Sequence, residues 1–431
     1  MKLAKKLTAI ALGGALVLGA SACGASTPSG GGEGAAAGNV TLDWSFWAQG
    51  DEGNKTWKDL ASQVTAKYPN ITINLTTAPF ADYFTKLQSQ LASGTAPCIV
   101  SMQSLRLPAF AKAMTPIDGD LAKAAGFTES EWDGGALKAL QNGDKQYALP
   151  YGLSTMLMYY NKDAFKAAGV DEPKDGWTTD EFVSAAEKIT KATGKPAFGQ
   201  TFSDLHMSAQ LLAYNGAKPV SDSGELQMTD PAFESAFTWY TGLATDKKIS
   251  SIPASSADVP WGEQQFVAGN VAMAVDGSWN VKSNVTDAAG FKVGVVTLPQ
   301  GPDGAGTFSA NSGFGISSTC KSKTEAAQAI GVLTDATSQM ASANSGNQPA
   351  RTAAIPAFID GLKKDIDPKN PGYSEQVAAV TKASSAKAVP FISTSNWDKV
   401  TKLMAQQFQQ AYSGKSSPQD ALKNVQQSGA K

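Results

Sequence analysis

The chain of 431 residues offers little to bond-breaking chemistry: one histidine, His206, and three cysteines, Cys23, Cys98 and Cys320. A Ser-His-Asp relay or a multi-histidine metal site has almost nothing to work with. CxxC, HExxH, GxSxG and phosphate-cradling glycine loops are all missing from the sequence. Paired carboxylates could still run glycoside hydrolysis, which needs only two acids flanking a bond, and acids are too common for the sequence to exclude it. The residues that stand out are aromatic. Nine tryptophans exceed what packing requires, and several fall on expected loops. Trp47 closes a strand-like run, Trp279 follows a Gly-Ser turn, and Trp397 opens a helix in STSNWDKV. Flat rings beside Asp, Asn, Gln or Arg can hold a molecule with an apolar face and a polar rim. Asp51, in the Gly-flanked AQGDEG, is suited to such a rim or to capping a helix. Asp204 and His206 share FSDLHMS, where the histidine is as open to a structural part as to a functional one.

These residues need elements to hold them. VTLDWSFW alternates as a half-buried strand, and ITINLTT puts Ile71, Ile73 and Leu75 on one face. TWKDLASQVTAKY lies between them at helical spacing. FADYFTKLQSQLASG follows, with Phe80, Phe84, Leu87 and Leu91 on one side and Gly94 as a stop, and CIVSM is a short buried strand. Strand, helix, strand, helix, strand implies right-handed crossovers, a parallel sheet, and ligands beyond the strands' carboxyl ends. That directs attention to the loops after Phe46 and Val100. The second half repeats the pattern. Thr178 and Glu181 form a capping box ahead of a helix with Phe182, Ala186 and Ile189 inside. PAFGQ, VAMAV and FKVGVVTLP are expected strands, HMSAQLLAYNGA and PAFESAFTWYTGLATD helices, and helices dominate from Glu325 onward.

The ends and the composition set the context. Lys2, Lys5 and Lys6 precede an apolar run over residues 7–18, too short for the roughly 20 residues that span a bilayer, so residues 1–22 are expected to be a secretory signal. Ala20, Ser21 and Ala22 then lead to Cys23, and the stretch resembles a bacterial lipobox, which implies lipidation at that cysteine. Residues 23–38, rich in Gly, Ala and Ser, are expected to form a flexible tether. About 400 further residues exceed one hydrophobic core, so two domains are expected. The formal charge of −2 becomes three units more negative once the signal is set aside, and no basic run offers a nucleic-acid footprint. Cys98 and Cys320 could pair or remain two buried thiols.

Four stretches together carry a resemblance. YPN-ITINL with LASGTAPCIV, LPYGLSTMLMYYNKDAF with GWTTDEF, FVAGNVAMAVDGSW, and WDKV with SPQDALKNVQ stand in the order found in extracellular solute-binding proteins of ABC importers. The chain resembles the maltose-binding-protein-like group of that family. The resemblance implies an α/β, two-lobe type II periplasmic-binding-protein fold. Each lobe would be a mostly parallel sheet flanked by helices, with a ligand cleft at the hinge. Lobe 1 is expected over 39–152 plus 300–352, lobe 2 over 153–299 plus 353–431. It implies a carbohydrate, an oligosaccharide by preference, captured between the lobes and handed to membrane permease subunits by a lipid-anchored monomer on the outer face, with no catalysis, cofactor or metal. A non-sugar solute receptor and a secreted glycosidase are the alternatives.

A pyranose has an apolar C–H face and a hydroxyl rim, which suits stacked rings and polar side chains in a dry cleft. The resemblance gives Trp279 and Trp397 stacking roles and Asp51 a hydroxyl contact. Trp47, at the ligand edge of the sheet, is expected to bind or to pack. Tyr151, in LPYG where the chain first crosses between lobes, is expected to touch ligand or to pack the hinge. Arg106 matches a family charge, Gln103 could supply a polar contact or face solvent, and Ser154 replaces a carboxylate. The resemblance places Asp204 and His206 in a loop expected to contribute contacts in the second lobe. Arg351, near the return crossover, is expected to form a hinge salt bridge.

Overall fold

The computed structural model describes residues 38–48, 50–254, 261–344 and 346–430; the expected signal, Cys23 and almost all of the tether lie outside them. Residues 39–431 form one compact unit, whose described residues hold two large sheets, of six and five strands, and two two-stranded ones.

The first sheet grows from Val40–Trp47, which pairs in parallel with Ile71–Ala78 on one side and Ile99–Gln103 on the other. The helices Gly50–Lys67 and Phe80–Ala92 make the crossovers. The alternation in VTLDWSFW gives way at its end: Trp44, Ser45, Phe46 and Trp47 are all buried, because the middle of the sheet is covered on both faces. Ser312–Ser317 then adds antiparallel to Ile99–Gln103 and also pairs with Met114–Thr115 and Ala148–Pro150. In the second sheet Met273–Gly277 and Ser250–Ser251 run parallel to Phe198–Gly199, whereas Met156–Asn161 lies antiparallel between Met273–Gly277 and Val293–Val296.

Both large sheets are therefore mixed, each with three parallel strands on one side. The long antiparallel members, Ser312–Ser317 and Met156–Asn161, are the strands the chain forms as it arrives from the other lobe. They enter from the hinge side, opposite in sense to strands fed by a local helix.

The cores divide accordingly. One gathers Leu42, Trp44, Leu87, Ile99, Leu149, Phe314 and Ile330. Two others, on either face of the second sheet, gather Met158, Phe198, Leu211, Phe237 and Phe408, and Tyr159, Phe266, Val293 and Phe358. Thr307–Ser309 pairs with Ala388–Pro390, and Phe308 and Ala310 join the second lobe's core. The return crossing therefore falls after Ala310, about ten residues beyond the expected 300. Cys98 and Cys320 are disulfide-bonded, with Cα atoms 4.5 Å apart, within the first lobe.

Local signals behave as their physics requires. Thr178 and Glu181 form the reciprocal cap at Thr179–Thr193, which buries Phe182, Ala186 and Ile189. The helices Asp204–Asn215, Trp397–Tyr412 and Pro418–Gly429 also stand where the spacing puts them.

Three segments run between the lobes. Residues 151–155 and 309–312 lie side by side, joined by the Thr155–Ser309 bridge, by Ala310 N donating to Ser154 O (3.2 Å) and by Ser154 N donating to Asn311 Oδ1 (2.7 Å). Leu153 N donates to Gln348 O (2.8 Å) at the third segment. Arg351 is not a hinge residue. Its guanidinium pairs with Glu131, donates to Thr334 O (2.8 Å) and stacks 4.2 Å over the Trp132 ring. Arg351 and all three partners belong to the first lobe. Sequence order puts it near the crossover, but a buried guanidinium goes where carboxylate, carbonyl and ring surround it.

Candidate ligand-binding cleft

The hinge floors a cleft of about 610 Å³ between the lobes. Strand ends and helix starts supply its walls, as expected where sheets present their carboxyl edges.

On the first-lobe wall, Trp47 ends its strand with 7% of its surface exposed. Its ring meets Phe80, Tyr83 and Phe84 at 5.4–5.9 Å and still lines the cleft. Phe80 shares its helix face with Phe84, whose ring it meets edge-on at 5.8 Å, but at this end of Phe80–Ala92 it is 37% exposed and lines the cleft. The first residue of a helix lies at the sheet edge, where no core covers it. Tyr151 stacks on Phe314 at 4.9 Å, meets Phe46 and Trp57 edge-on, and also lines the cleft.

Asp51 is different. It is exposed on the first turn of Gly50–Lys67 while Gly50 and Gly53 line the cleft, so at this start of the helix the glycines, not the carboxylate, face the opening. Gln103 and Ser154 line it.

Arg106 lines the cleft but is already engaged across it. Its guanidinium lies 2.7 Å from Asp398 and 3.8 Å from Asp204, both second-lobe residues, and 5.7 Å over the Phe84 ring. Next to it Leu105 is buried in the second lobe's core, and Ser393 Oγ donates to Leu105 O at 2.6 Å. The turn after Ile99–Gln103 is thus plugged into the opposite lobe.

On the second-lobe wall, Trp279 is half-buried and meets the His206 ring edge-on at 6.1 Å. It lies against Gly277, where a Cβ would overlap the indole ring. Gly277 has an ordinary φ of −83°, so the glycine is required here for the space its missing side chain leaves to Trp279. Asp204 opens Asp204–Asn215 and accepts a hydrogen bond from Trp397 Nε1 (2.6 Å). Trp397 is 1% exposed, packs on Phe391 at 5.5 Å and does not line the cleft. Its expected stacking role is therefore replaced: the first turn of Trp397–Tyr412 directs the indole inward, and it fixes Asp204 from behind.

His206 is 6% exposed, with Nδ1 3.0 Å from Ser203 Oγ and Nε2 3.3 Å from Asp276 Oδ1. Asp276, 1% exposed, also accepts from Gly277 N (2.7 Å), Asn280 Nδ2 (2.9 Å) and Asn284 Nδ2 (2.7 Å). Glu263, on Trp261–Val267, accepts from Asn280 (3.2 Å). Burial first, then Asp276 and Asp287, push the Glu263 carboxyl up to about 9. Imidazole and carboxylate atoms of His206, Glu263 and Asp276 fall within 4.8 Å of one another.

Sequence reasoning missed Glu263, Asp276, Asp287, Asn280, Asn347 and Gln348, all of which line the cleft. One signal for Asp276 was available: it is the acid ending a buried strand in AVDGSW, three residues before the tryptophan. Gln348 is 1% exposed, and neither end of its carboxamide has a hydrogen-bond partner.

Residues 47–340 match the family of bacterial extracellular solute-binding proteins. Over 384 residues the chain is 24% identical to a binding protein of Brucella abortus (strain 2308), covering 86% of this chain and 87% of that one. A solved ABC substrate-binding protein of Listeria monocytogenes, in complex with cycloalternan, superposes with a TM-score of 0.78 at 24% identity, covering 90% and 97% of the two chains. A glycerophosphocholine complex from Mycobacterium tuberculosis gives 0.74 at 19% identity, covering 90% and 97%. Two hinged lobes, a cleft at their sheet edges and a family match over more than half the length agree: the chain belongs to the bacterial extracellular solute-binding proteins.

Proposed function

We propose that this protein captures a carbohydrate, preferentially an oligosaccharide, between its lobes and delivers it to the permease of an ABC importer. The observation that carries the reading is the cleft's composition: Trp47, Phe80 and Trp279 present ring surface, while Gln103, Asp204 and Asn280 border it with hydrogen-bonding groups. Rings suit the C–H face of a pyranose and the polar groups suit its hydroxyls. Similar proteins hold cycloalternan, acarbose and mannotriose, which supports the ligand class. The cleft serves for capture, with no catalytic step. Gln348, buried at the hinge with its carboxamide unmatched, is a ligand contact in this reading.

The lobes are assigned as 39–152 with 311–352, and 153–310 with 353–431. Opening at the three crossings admits the sugar, and closure gives the permease a state that only the loaded protein favours. Cys23 carries the lipid and residues 23–38 the tether, holding a monomer at the outer face of the membrane; the support is the lipobox-like sequence.

A phosphodiester solute is the second reading, favoured by the glycerophosphocholine complex. A thermal-shift screen of mono- and oligosaccharides alongside glycerophosphocholine tests both, because a ligand of the folded state alone raises its melting temperature. A shift with sugars alone is expected. A shift with glycerophosphocholine alone would transfer the protein to the other class.

A further inference from the structure

We infer that Gln348 determines specificity in this cleft: its carboxamide takes two neighbouring hydroxyls of one sugar ring, so the protein prefers a ligand whose innermost ring keeps a free vicinal diol. The inference rests on the carbohydrate-capture reading, in which Gln348 touches ligand, and adds the ligand groups that it reads.

Local sequence fixes the backbone first. A residue ahead of proline is driven out of helical geometry, and Gln348 precedes Pro349. Its carbonyl accepts from Leu153 N (2.8 Å) on the first crossing. Gly152 permits that close approach, since a Cβ there would stand 3.1 Å from Gln348 O. With its main chain held, Gln348 belongs to a cleft floor that Tyr151, Gly152, Ser154 and Ser312 also line, none of them charged. Asn347, its neighbour, already uses its amide nitrogen to donate to Ser342 Oγ (3.0 Å).

Burial makes an unmatched amide costly, and a buried glutamine that serves the fold has its bonds made. Gln339 is as buried as Gln348, yet its Nε2 donates to Pro150 O (3.0 Å) and Thr334 O (3.2 Å), and its Oε1 accepts from Arg351 N (2.8 Å). Gln146 likewise donates to Ala148 O (2.7 Å) and accepts from Gln141 Nε2 (3.2 Å). Among the described buried glutamines only Gln348 has both carboxamide atoms buried and unmatched. A carboxamide offers an acceptor at one end and two donors at the other, so its complement must donate and accept side by side. Two adjacent hydroxyls do both. A phosphate or carboxylate only accepts and an ammonium only donates, so each leaves one end empty. An acetamido group holds its N–H and C=O on opposite sides of a trans amide and reaches one end at a time. With 1% of Gln348 exposed, the contact forms as the crossings close over a sugar already in the cleft.

The test takes whichever of maltose, mannotriose and cycloalternan stabilises the whole protein most in thermal-shift runs. Calorimetry then compares that sugar with its monodeoxy derivatives, in the parent and in Gln348→Met, which keeps the length and drops both polar atoms. Removing either hydroxyl of one vicinal pair is expected to cost the parent at least about tenfold in affinity and the variant less than about threefold, while hydroxyls elsewhere cost both proteins alike. A glutamine with a purely structural part would lower the variant's affinity for every derivative by one factor and leave those ratios intact. That result overturns the inference and leaves carbohydrate capture standing. The ligand-free Gln348→Met protein is expected to melt no lower than the parent, because an unmatched group is lost rather than a bond. Gln348→Asn, which withdraws the amide by one methylene, is expected to show the same collapse of ratios, so the comparison survives a methionine variant that fails to fold. A protein that none of the three sugars stabilises loses the carbohydrate reading and this inference with it.

Discussion

Trp279 and Gly277 carry the most specific consequence among single residues. Replacing Trp279 with alanine removes a half-exposed ring without opening a core, so sugar affinity should fall at least tenfold, about 1.4 kcal/mol, with the melting curve nearly unchanged. Gly277→Ala provides an independent check. Its backbone accepts any side chain, but the new Cβ overlaps the indole and must displace it. Calorimetry should therefore show a loss close to that of the tryptophan variant; full affinity in Gly277→Ala would mean that the ring position does not matter. Glu263 makes a different kind of prediction. Burial and the charges of Asp276 and Asp287 hold its carboxyl up to about 9 in the folded protein, against an ordinary value near 4.5. Between those values the folded state keeps a proton that the unfolded chain releases, so ligand-free stability should fall as pH rises from about 5 to 9. Glu263→Gln should flatten that slope in denaturant melts; an unchanged slope would assign it to other groups.

Among the elements, the sequence spoke clearly wherever a single period ran long enough. The helices Thr179–Thr193 and Trp397–Tyr412 and the first three strands stand within a few residues of their expected places. Short pieces were another matter. Thr307–Ser309 and Ala388–Pro390 are three residues each and pair across a long stretch of chain, so neither carries a local signal. The orientation of Ser312–Ser317 and Met156–Asn161 was likewise invisible, because direction in a sheet depends on where the chain arrives from. The Cys98–Cys320 bond belongs here too. It ties the entry of Ile99–Gln103 to the turn after Ser312–Ser317, neighbours in the sheet that are 222 residues apart in sequence. Cross-links of this kind contribute about 2–4 kcal/mol. A Cys98→Ser/Cys320→Ser variant should melt earlier by calorimetry, while its sugar affinity, set at the opposite end of that strand, stays within twofold.

For the whole molecule the decisive contact is the turn at Leu105 and Arg106, seated in the opposite lobe. It exists only when the lobes are together, so weakening it taxes the closed state alone. Leu105→Ala is expected to lower affinity about 5- to 30-fold, equivalent to roughly 1–2 kcal/mol, and to raise the radius of gyration of the liganded protein in small-angle scattering. Equal compaction in variant and parent would show that the plug does not govern closure. Local periodicity was enough for an alternating α/β chain and for Trp47 at a strand end, while the four ordered stretches carried the resemblance to the family and, with it, Tyr151 and Trp279 as cleft residues. Only the tertiary structure turned Trp397 inward, settled Arg351 inside the first lobe and gathered His206, Glu263 and Asp276 from two helices and a strand end. Burial and charge proximity are properties of surfaces brought together from distant sequence, and no window along the chain contains both sides.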